Sequence, residues 1–358
     1  MVLSISLPIK PMLAKLASSI PIGDYIYEPK WDGFRAIASR DGDTVGLHSR
    51  ALKPLLRYFP ELESPLLKQL PKGCVLDGEI VIARDGRLDF DALLLRLHPA
   101  GSRVAKLAIE SPASFVAWDV LAIDDEDLTG WPQRERSARL ATALGDVEPP
   151  LFVTPVTQDP KIAMDWFHRF EGAGLDGVIA KPLASPYQPG KRIMHKIKHR
   201  RTADCVVGGF RWHKNGWGSE VGSLLLGLHD TSGVLHHVGV ASSFSMKHRV
   251  ELLEQLAPWR ASELNSHPWK SWRTESTHAG KRLPAAASRW NRGKKLDWQP
   301  LRTDLVAEVS YDHMQGNRFR HTTRLVRFRH DKPADTCTYD QLEVSPPIEL
   351  REIFGSSK

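Results

Sequence analysis

Residues Glu28-Pro29-Lys30-Trp31-Asp32-Gly33-Phe34-Arg35 decide how this chain is read. A lysine closes one strand-like run, Asp32-Gly33 makes a turn, and Arg35 lies in the next run, five residues on. Asp-Gly between apolar runs is a strong hairpin signal, and taken alone the stretch is an ordinary hairpin. Working outward, the neighbouring runs are short, rich in strand formers and broken by further turns at Asp41-Gly42 and Asp85-Gly86. They predict strands over 25–27, 35–39, 44–48, 74–83, 115–123, 151–156, 177–180 and 192–197, and helices over 58–70, 134–144 and 162–170. Such short connections favour antiparallel pairing over a doubly wound parallel sheet.

Past residue 200 the pattern changes. Strands are expected over 205–211, 223–228, 235–240, 305–311 and 325–329, with one helix over 247–257. Five short strands and one inserted helix are the element count of an OB-fold barrel. The polar segment 199–204 is the expected hinge between domains spanning 1–200 and 201–358. Residues 258–302 hold Trp259, Trp269, Trp272, Trp290 and Trp298 among many lysines and arginines. They form either a loop ordered by a polyanion or a packed, Trp-anchored insertion.

Composition narrows the class. The 358 residues carry a net charge of +7 with a pI near 9.3. Residues 1–200 hold 26 Lys/Arg against 25 Asp/Glu, whereas residues 201–358 hold 23 against 17. The excess in the second part is the footprint of a polyanion partner. No run of 18 apolar residues is present and the N-terminus lacks a signal-peptide pattern, so a cytoplasmic protein without a membrane span is expected. Cys74, Cys205 and Cys337 are far apart and form no CxxC pair, which argues against a disulfide framework or a zinc module.

Charge also enters the strands. Asp77 and Glu79 alternate onto one face of an apolar run, where two carboxylates suit a ribose hydroxyl or hydrated Mg²⁺. Lys196 and Lys198 share a face, as a phosphate clamp needs. Asp176 and Lys181 differ in parity, so a bulge near Gly177 is required if both enter one site. Trp118 and Asp119 are expected on opposite faces, with the indole either stacked on a base or in the core. Taken alone, a solvated strand face is an equal alternative for Asp77 and Glu79 and the better reading for Lys196 and Lys198, and a core position is the commoner reading for Trp118. His48, His195, His236 and His237 have no ligand spacing and are taken as structural.

The order of these stretches resembles the covalent nucleotidyltransferases. Lys30-x-Asp32-Gly33-x-Arg35, Ser49-Arg50, Asp77-Gly78-Glu79, Trp118-Asp119, Asp176 to Lys181, and Lys196-Ile197-Lys198 look like motifs I, Ia, III, IIIa, IV and V. Arg329-His330-Asp331-Lys332 looks like motif VI. The closest resemblance is to bacterial ATP-dependent DNA ligases of the stand-alone two-domain type called DNA ligase C, and to the ligase module of DNA ligase D. Asp176 stands where motif IV usually has Glu, and Trp118 where motif IIIa usually has Phe or Tyr.

The resemblance implies an α+β chain, a mostly antiparallel adenylation domain followed by an OB-fold β-barrel. It implies sealing of nicks, through a lysyl-AMP and then an AMP–DNA intermediate, in DNA repair and recombination. It makes Lys30 the nucleophile, activated by the neighbouring cations Lys181, Lys196 and Lys198, which would lower its pKa and neutralise phosphates. Glu28 and Trp118 would hold adenine, Glu79 the ribose, and Arg35 and Arg50 the AMP sugar or a DNA phosphate. Glu79 and Asp176 would hold Mg²⁺ or Mn²⁺. Arg329, Asp331 and Lys332 would orient pyrophosphate in the first step only. Residues 318–332 place five arginines and a lysine on strand-like alternation, so Arg318, Arg320, Arg324 and Arg327 are the expected DNA contacts, to phosphates rather than bases. The implied partners are nicked duplex DNA and, for a monomer with so small a grip, a repair polymerase or primase or a Ku-like end-binding protein. RNA ligases and capping guanylyltransferases share the lysine chemistry. The motif VI tail argues against the first, and the Glu28–Arg35 stretch against the second. A non-catalytic nucleic-acid binder would not need Lys30, Glu79, Lys196 and Lys198 together.

Overall fold

The computed structural model describes residues 3–124, 126–199, 201–261, 267–270, 297–312 and 314–342. These divide into two compact units, 3–199 and 201–342.

The first unit is built on eleven strands: β1 (Leu13–Leu16), β2 (Tyr25–Pro29), β3 (Phe34–Asp41), β4 (Thr44–Ser49), β5 (Cys74–Arg84), β6 (Arg87–Leu88), β7 (Ala113–Ile123), β8 (Glu126–Asp127), β9 (Leu151–Val153), β10 (Val178–Pro182) and β11 (Arg192–Ile197). One sheet has the order β1-β11-β10-β2; the other runs β4-β3-β5-β7-β8, with β6 on β5 and β9 on β7. All pairs are antiparallel except β1 with β11 and β7 with β9. Tyr27, Val178, Ala180 and Ile197 of the first sheet pack with Val81 and Val116 of the second in one apolar cluster. The outer face of the second sheet is covered by helices α1 (Glu63–Gln69) and α2 (Phe90–Arg96), through Leu66 and Leu93. Further helices are α3 (Gly101–Glu110), α4 (Gln133–Ala143) and α5 (Pro160–Arg169).

The expected helix over 58–70 is broken. Pro60 starts a short 3-10 turn and the α-helix begins only at Glu63. Sequence reading missed α2, although Asp89 caps it by accepting from Ala92 N at 2.9 Å.

The second unit contains β12 (Arg201–His213), β13 (Gly216–His229), β14 (Leu235–Ala241), helix α6 (Met246–Leu256), β15 (Gln299–Pro300), β16 (Val306–Tyr311), β17 (Met314–Gln315), β18 (Arg318–Phe319) and β19 (Arg324–Phe328). Its main sheet runs β14-β13-β12-β16-β19. A bridge between Ala241 and Thr323 brings the β14 edge back to the segment entering β19, which curls the sheet towards a barrel. Two expectations are corrected or refined here. Residues 201–204 are not a hinge loop but the start of β12, paired with β16. Trp269 and Trp298 are core residues, 1% exposed, lying over Gly208 and Gly209, where a Cβ would come within 2.3 and 2.5 Å of the indoles. Trp272, Trp290 and the basic run 281–296 lie outside the described residues.

Candidate active site

The backbone sets the site before any side chain does. Lys30 N donates to Gly177 O and Asp176 N to Lys30 O, both at 2.9 Å, so the lysine is held against the start of β10. Gly177 has φ +117°, a region that disfavours side chains, and a Cβ there would lie 2.0 Å from Ile197 O. This break in alternation supplies the change of face that Asp176 and Lys181 require. Gly33 is equally constrained: its N–H donates to Glu79 Oε1 at 3.1 Å, and a Cβ would sit 2.2 Å from Ile80 O.

Register then collects the charges. Glu28 on β2 faces Ile179 on β10, which faces Lys196 on β11, so Glu28, Lys181 and Lys196 share one face of their sheet. On the other sheet Arg35 pairs across from Glu79, and Asp77 lies two residues along on the same face. Between Asp77 and Gly78 the β5–β7 register slips, leaving Trp118 as an extra residue between Ala117 and Asp119. The bulge turns Trp118 and Asp119 towards the same side. The expectation of opposite faces is therefore corrected: Arg35 lies 5.3 Å and Lys181 Nζ 6.0 Å from the centroid of the Trp118 ring.

The ion pairs are buried and interlocked. Lys30 Nζ lies 2.6 Å from Asp176 Oδ2, and Lys198 Nζ pairs with the same oxygen. Lys181 is 1% exposed and bonds Glu28 Oε2 at 2.9 Å and Trp118 O at 3.0 Å. Arg35 grips Asp77 with two bonds of 2.9 and 2.5 Å. Asp77 also accepts from the Tyr187 hydroxyl at 2.7 Å, and that hydroxyl accepts from Met12 N at 2.9 Å. Asp119 is bound by Arg136 of α4 at 2.8 and 3.0 Å.

Burial dominates the titration. It pushes Glu79 up to about 8 against the pull of Lys30 and Arg35, and Glu28 up to about 7 against the pull of Lys181. Lys30 differs from expectation. Burial works to lower its pKa, but the Asp176 carboxylate, joined by Asp32 and Glu79, offsets that, and the net direction is upward. Lys181 serves Glu28 instead, and Lys198 shares Asp176 with Lys30. Lys196 is the amine whose pKa is lowered, by burial and then by Lys198 and Lys30.

Glu79 and Asp176 offer the hard oxygen donors that Mg²⁺ or Mn²⁺ prefers. The Glu79 carboxyl is pushed up to about 8 chiefly by burial, and a divalent cation bound there would favour its ionised form. Among the described residues no cluster of three His, Cys, Asp or Glu ligands exists, so such an ion would draw its other ligands from phosphate oxygens and water. Arg50 stands apart from the ion-pair cluster, exposed in the turn after β4.

Comparison with known proteins now has a geometry to meet. The family described as "ATP dependent DNA ligase domain" matches residues 11–198, and "ATP dependent DNA ligase C terminal region" matches 217–332. DNA ligase C2 of Mycolicibacterium smegmatis is 53% identical, covering 95% of each chain. The chain belongs to the ATP-dependent DNA ligases.

DNA ligase C of Mycobacterium tuberculosis is 51% identical over 97% of each chain. A solved structure from a study of Lig E DNA ligases covers 89% of this chain and 99% of that one, at TM-score 0.53 and 18% identity, and shares the fold. The α+β architecture of an adenylation domain followed by a C-terminal barrel is thus that of the family. The ligase uses ATP and seals nicks in DNA by the family's route through lysyl-AMP and AMP–DNA. No helix among its described residues is long and apolar enough to cross a membrane.

In the second unit of the ligase, the motif VI cations converge on β12. Lys332 Nζ lies 2.8 Å and Arg329 Nη1 3.3 Å from Asp204 Oδ2, while Arg329 also bonds Asp331. Of the expected DNA contacts, Arg324 and Arg327 are exposed on the edge strand β19, Arg327 bonding Glu308 at 2.7 Å. Arg320 is half-buried. Arg318 is turned inward, 2.7 Å from His237 Nδ1. Sequence reading missed Asp119–Arg136, Tyr187 and Asp204. None carries a local signal, since their partners lie far away in sequence.

Proposed function

We propose that Lys30 is the nucleophile of this ligase, that residues 1–200 form the adenylation domain and that residues 201–358 form the OB domain that grips DNA. One observation carries the reading: Lys30 Nζ shares the Asp176 carboxylate with Lys198, beside a sheet face that also bears Glu28, Lys181 and Lys196. That is an amine among phosphate-binding cations, with a carboxylate in hydrogen-bond reach.

Lys30 must attack as the free amine, so its proton leaves towards Asp176. The nitrogen then bonds the α-phosphorus of ATP and the bond to pyrophosphate breaks. Lys196 and Lys198 balance charge on the phosphates, and Glu79 accepts from the ribose. Trp118 offers an indole face to adenine, and Glu28, held by Lys181, offers a carboxyl to its edge. Arg329 and Lys332 orient pyrophosphate in this step, with Asp331 fixing the guanidinium. In the next steps AMP passes to the 5′-phosphate of the nick and is expelled by the 3′-hydroxyl, with Arg35 and Arg50 on the sugar or the DNA phosphate. Glu79 and Asp176 would hold a divalent cation, which would further neutralise phosphate charge. A repair polymerase or primase, or a Ku-like end-binding protein, is the partner class that the family resemblance supports.

The test is incubation with labelled ATP and Mg²⁺. The wild-type chain is expected to form a covalent AMP adduct that Lys30→Ala abolishes, together with nick sealing. An adduct of normal yield in Lys30→Ala would place the nucleophile elsewhere.

A further inference from the structure

Asp204 is the fourth residue of β12, its side chain 13% exposed. Its Oδ2 receives Lys332 Nζ at 2.8 Å and Arg329 Nη1 at 3.3 Å, and the same Nη1 reaches Oδ1 at 3.5 Å. The other edge of the Arg329 guanidinium is occupied by Asp331, with Nε and Nη2 each 2.9 Å from a carboxylate oxygen. The donors that converge on the Asp204 carboxylate are therefore one guanidinium nitrogen, spanning both oxygens, and one ammonium on Oδ2. Cations grip phosphate oxygens in the same way.

We propose that Asp204 is a positioning residue that stands in for the polyphosphate of ATP on Arg329 and Lys332, and competes with it. It keeps the two like charges together in the absence of nucleotide. It yields them to ATP, and so raises the ATP concentration needed for self-adenylation. The proposal rests on the reading that Arg329 and Lys332 engage pyrophosphate. A polyphosphate tail carries more charge than one carboxylate, so the exchange runs towards ATP. The bridge is partly exposed and screened, so the competition is modest. The backbone at Asp204 does not depend on it: Gln341 accepts from Asp204 N at 2.7 Å and donates to Asp204 O at 3.0 Å.

The experiment measures lysyl-AMP formation against ATP concentration in the full chain, with sealing of a pre-adenylated nick as the second readout. Asp204→Asn is expected to lower the half-saturating ATP concentration about three- to tenfold. Inhibition by inorganic pyrophosphate should strengthen in parallel, with pre-adenylated sealing unchanged. Asp204→Glu should restore wild-type behaviour, and Asp304→Asn, which removes only an exposed partner of Arg302, should change nothing. An unchanged or raised half-saturating ATP concentration in a folded Asp204→Asn would overturn the proposal. Should that variant not fold, Asp204→Ser gives the same readout. If Arg329→Ala self-adenylates normally, the pyrophosphate reading itself fails. If Arg329→Ala is inactive while Asp204→Asn matches wild type, only the competition is wrong.

Discussion

Tyr187 belongs to none of the sequence motifs, yet its hydroxyl joins Met12 of the N-terminal segment to Asp77 of β5, which in turn fixes Arg35. The Arg136 guanidinium lies 5.7 Å from the Tyr187 ring centroid, so the same tyrosine also borders the Asp119 pair. Tyr187→Phe keeps the ring and removes the hydroxyl, leaving a buried amide and a buried carboxylate each short of one bond. It should cost ~1–3 kcal/mol of stability in urea unfolding. A loss below about 0.3 kcal/mol would mean that water replaces the hydroxyl. At this scale the sequence revealed what local spacing can carry: Lys30, Glu28, Lys181, Lys196 and Lys198 all lie on one buried face or its margin. It could not reveal Tyr187, whose partner is 110 residues away. Nor did it give the direction of the Lys30 pKa, because counting nearby lysines does not say which carboxylate each one holds.

The secondary elements were read best where turns bounded them tightly, as for β3, β4, β5 and β11. The four-residue β1 was missed because its pairing is parallel and its side chains are half-exposed or exposed. The Trp118 bulge was missed because period-two alternation assumes an unbroken ladder. Two predictions belong to this scale. On the edge strand β19, Arg324→Ala should weaken nicked-DNA binding and lower the salt slope of log K by about 1. Equal slopes for wild type and variant would remove Arg324 from the DNA contacts. His237 is buried on β14, bonded by Arg318 of β18, and its pKa is held well below 6.5, first by burial and then by Arg318 and Arg211. It stays neutral in the folded chain, whereas the unfolded chain takes up a proton below pH 6.5. Stability should therefore be unaffected by His237 above about pH 6.5 and fall as the pH drops beneath it. Urea unfolding at pH 7.5 and 5.5 checks this, and His237→Gln should flatten the difference. Arg318→Ala should act on stability more than on DNA, since its guanidinium is committed to His237.

For the molecule as a whole, the charge asymmetry acquires a division of labour. Residues 1–200 are nearly balanced, with 26 basic against 25 acidic residues, and in the site Lys30 and Lys198 share Asp176 while Lys181 is paired with Glu28. The surplus beyond residue 200 remains for polyanions. If Arg329 and Lys332 serve pyrophosphate alone, then Arg329→Ala and Lys332→Ala should cut lysyl-AMP formation about 100-fold or more while sparing a pre-adenylated nick. Matched losses in both assays would show that these residues also serve DNA.

The early start of β12 bears on mechanics. β11 ends at Ile197, Lys198 follows it directly, and β12 begins at Arg201. Backbone torsions at Lys198 therefore bear directly on the ammonium that shares the Asp176 carboxylate with Lys30.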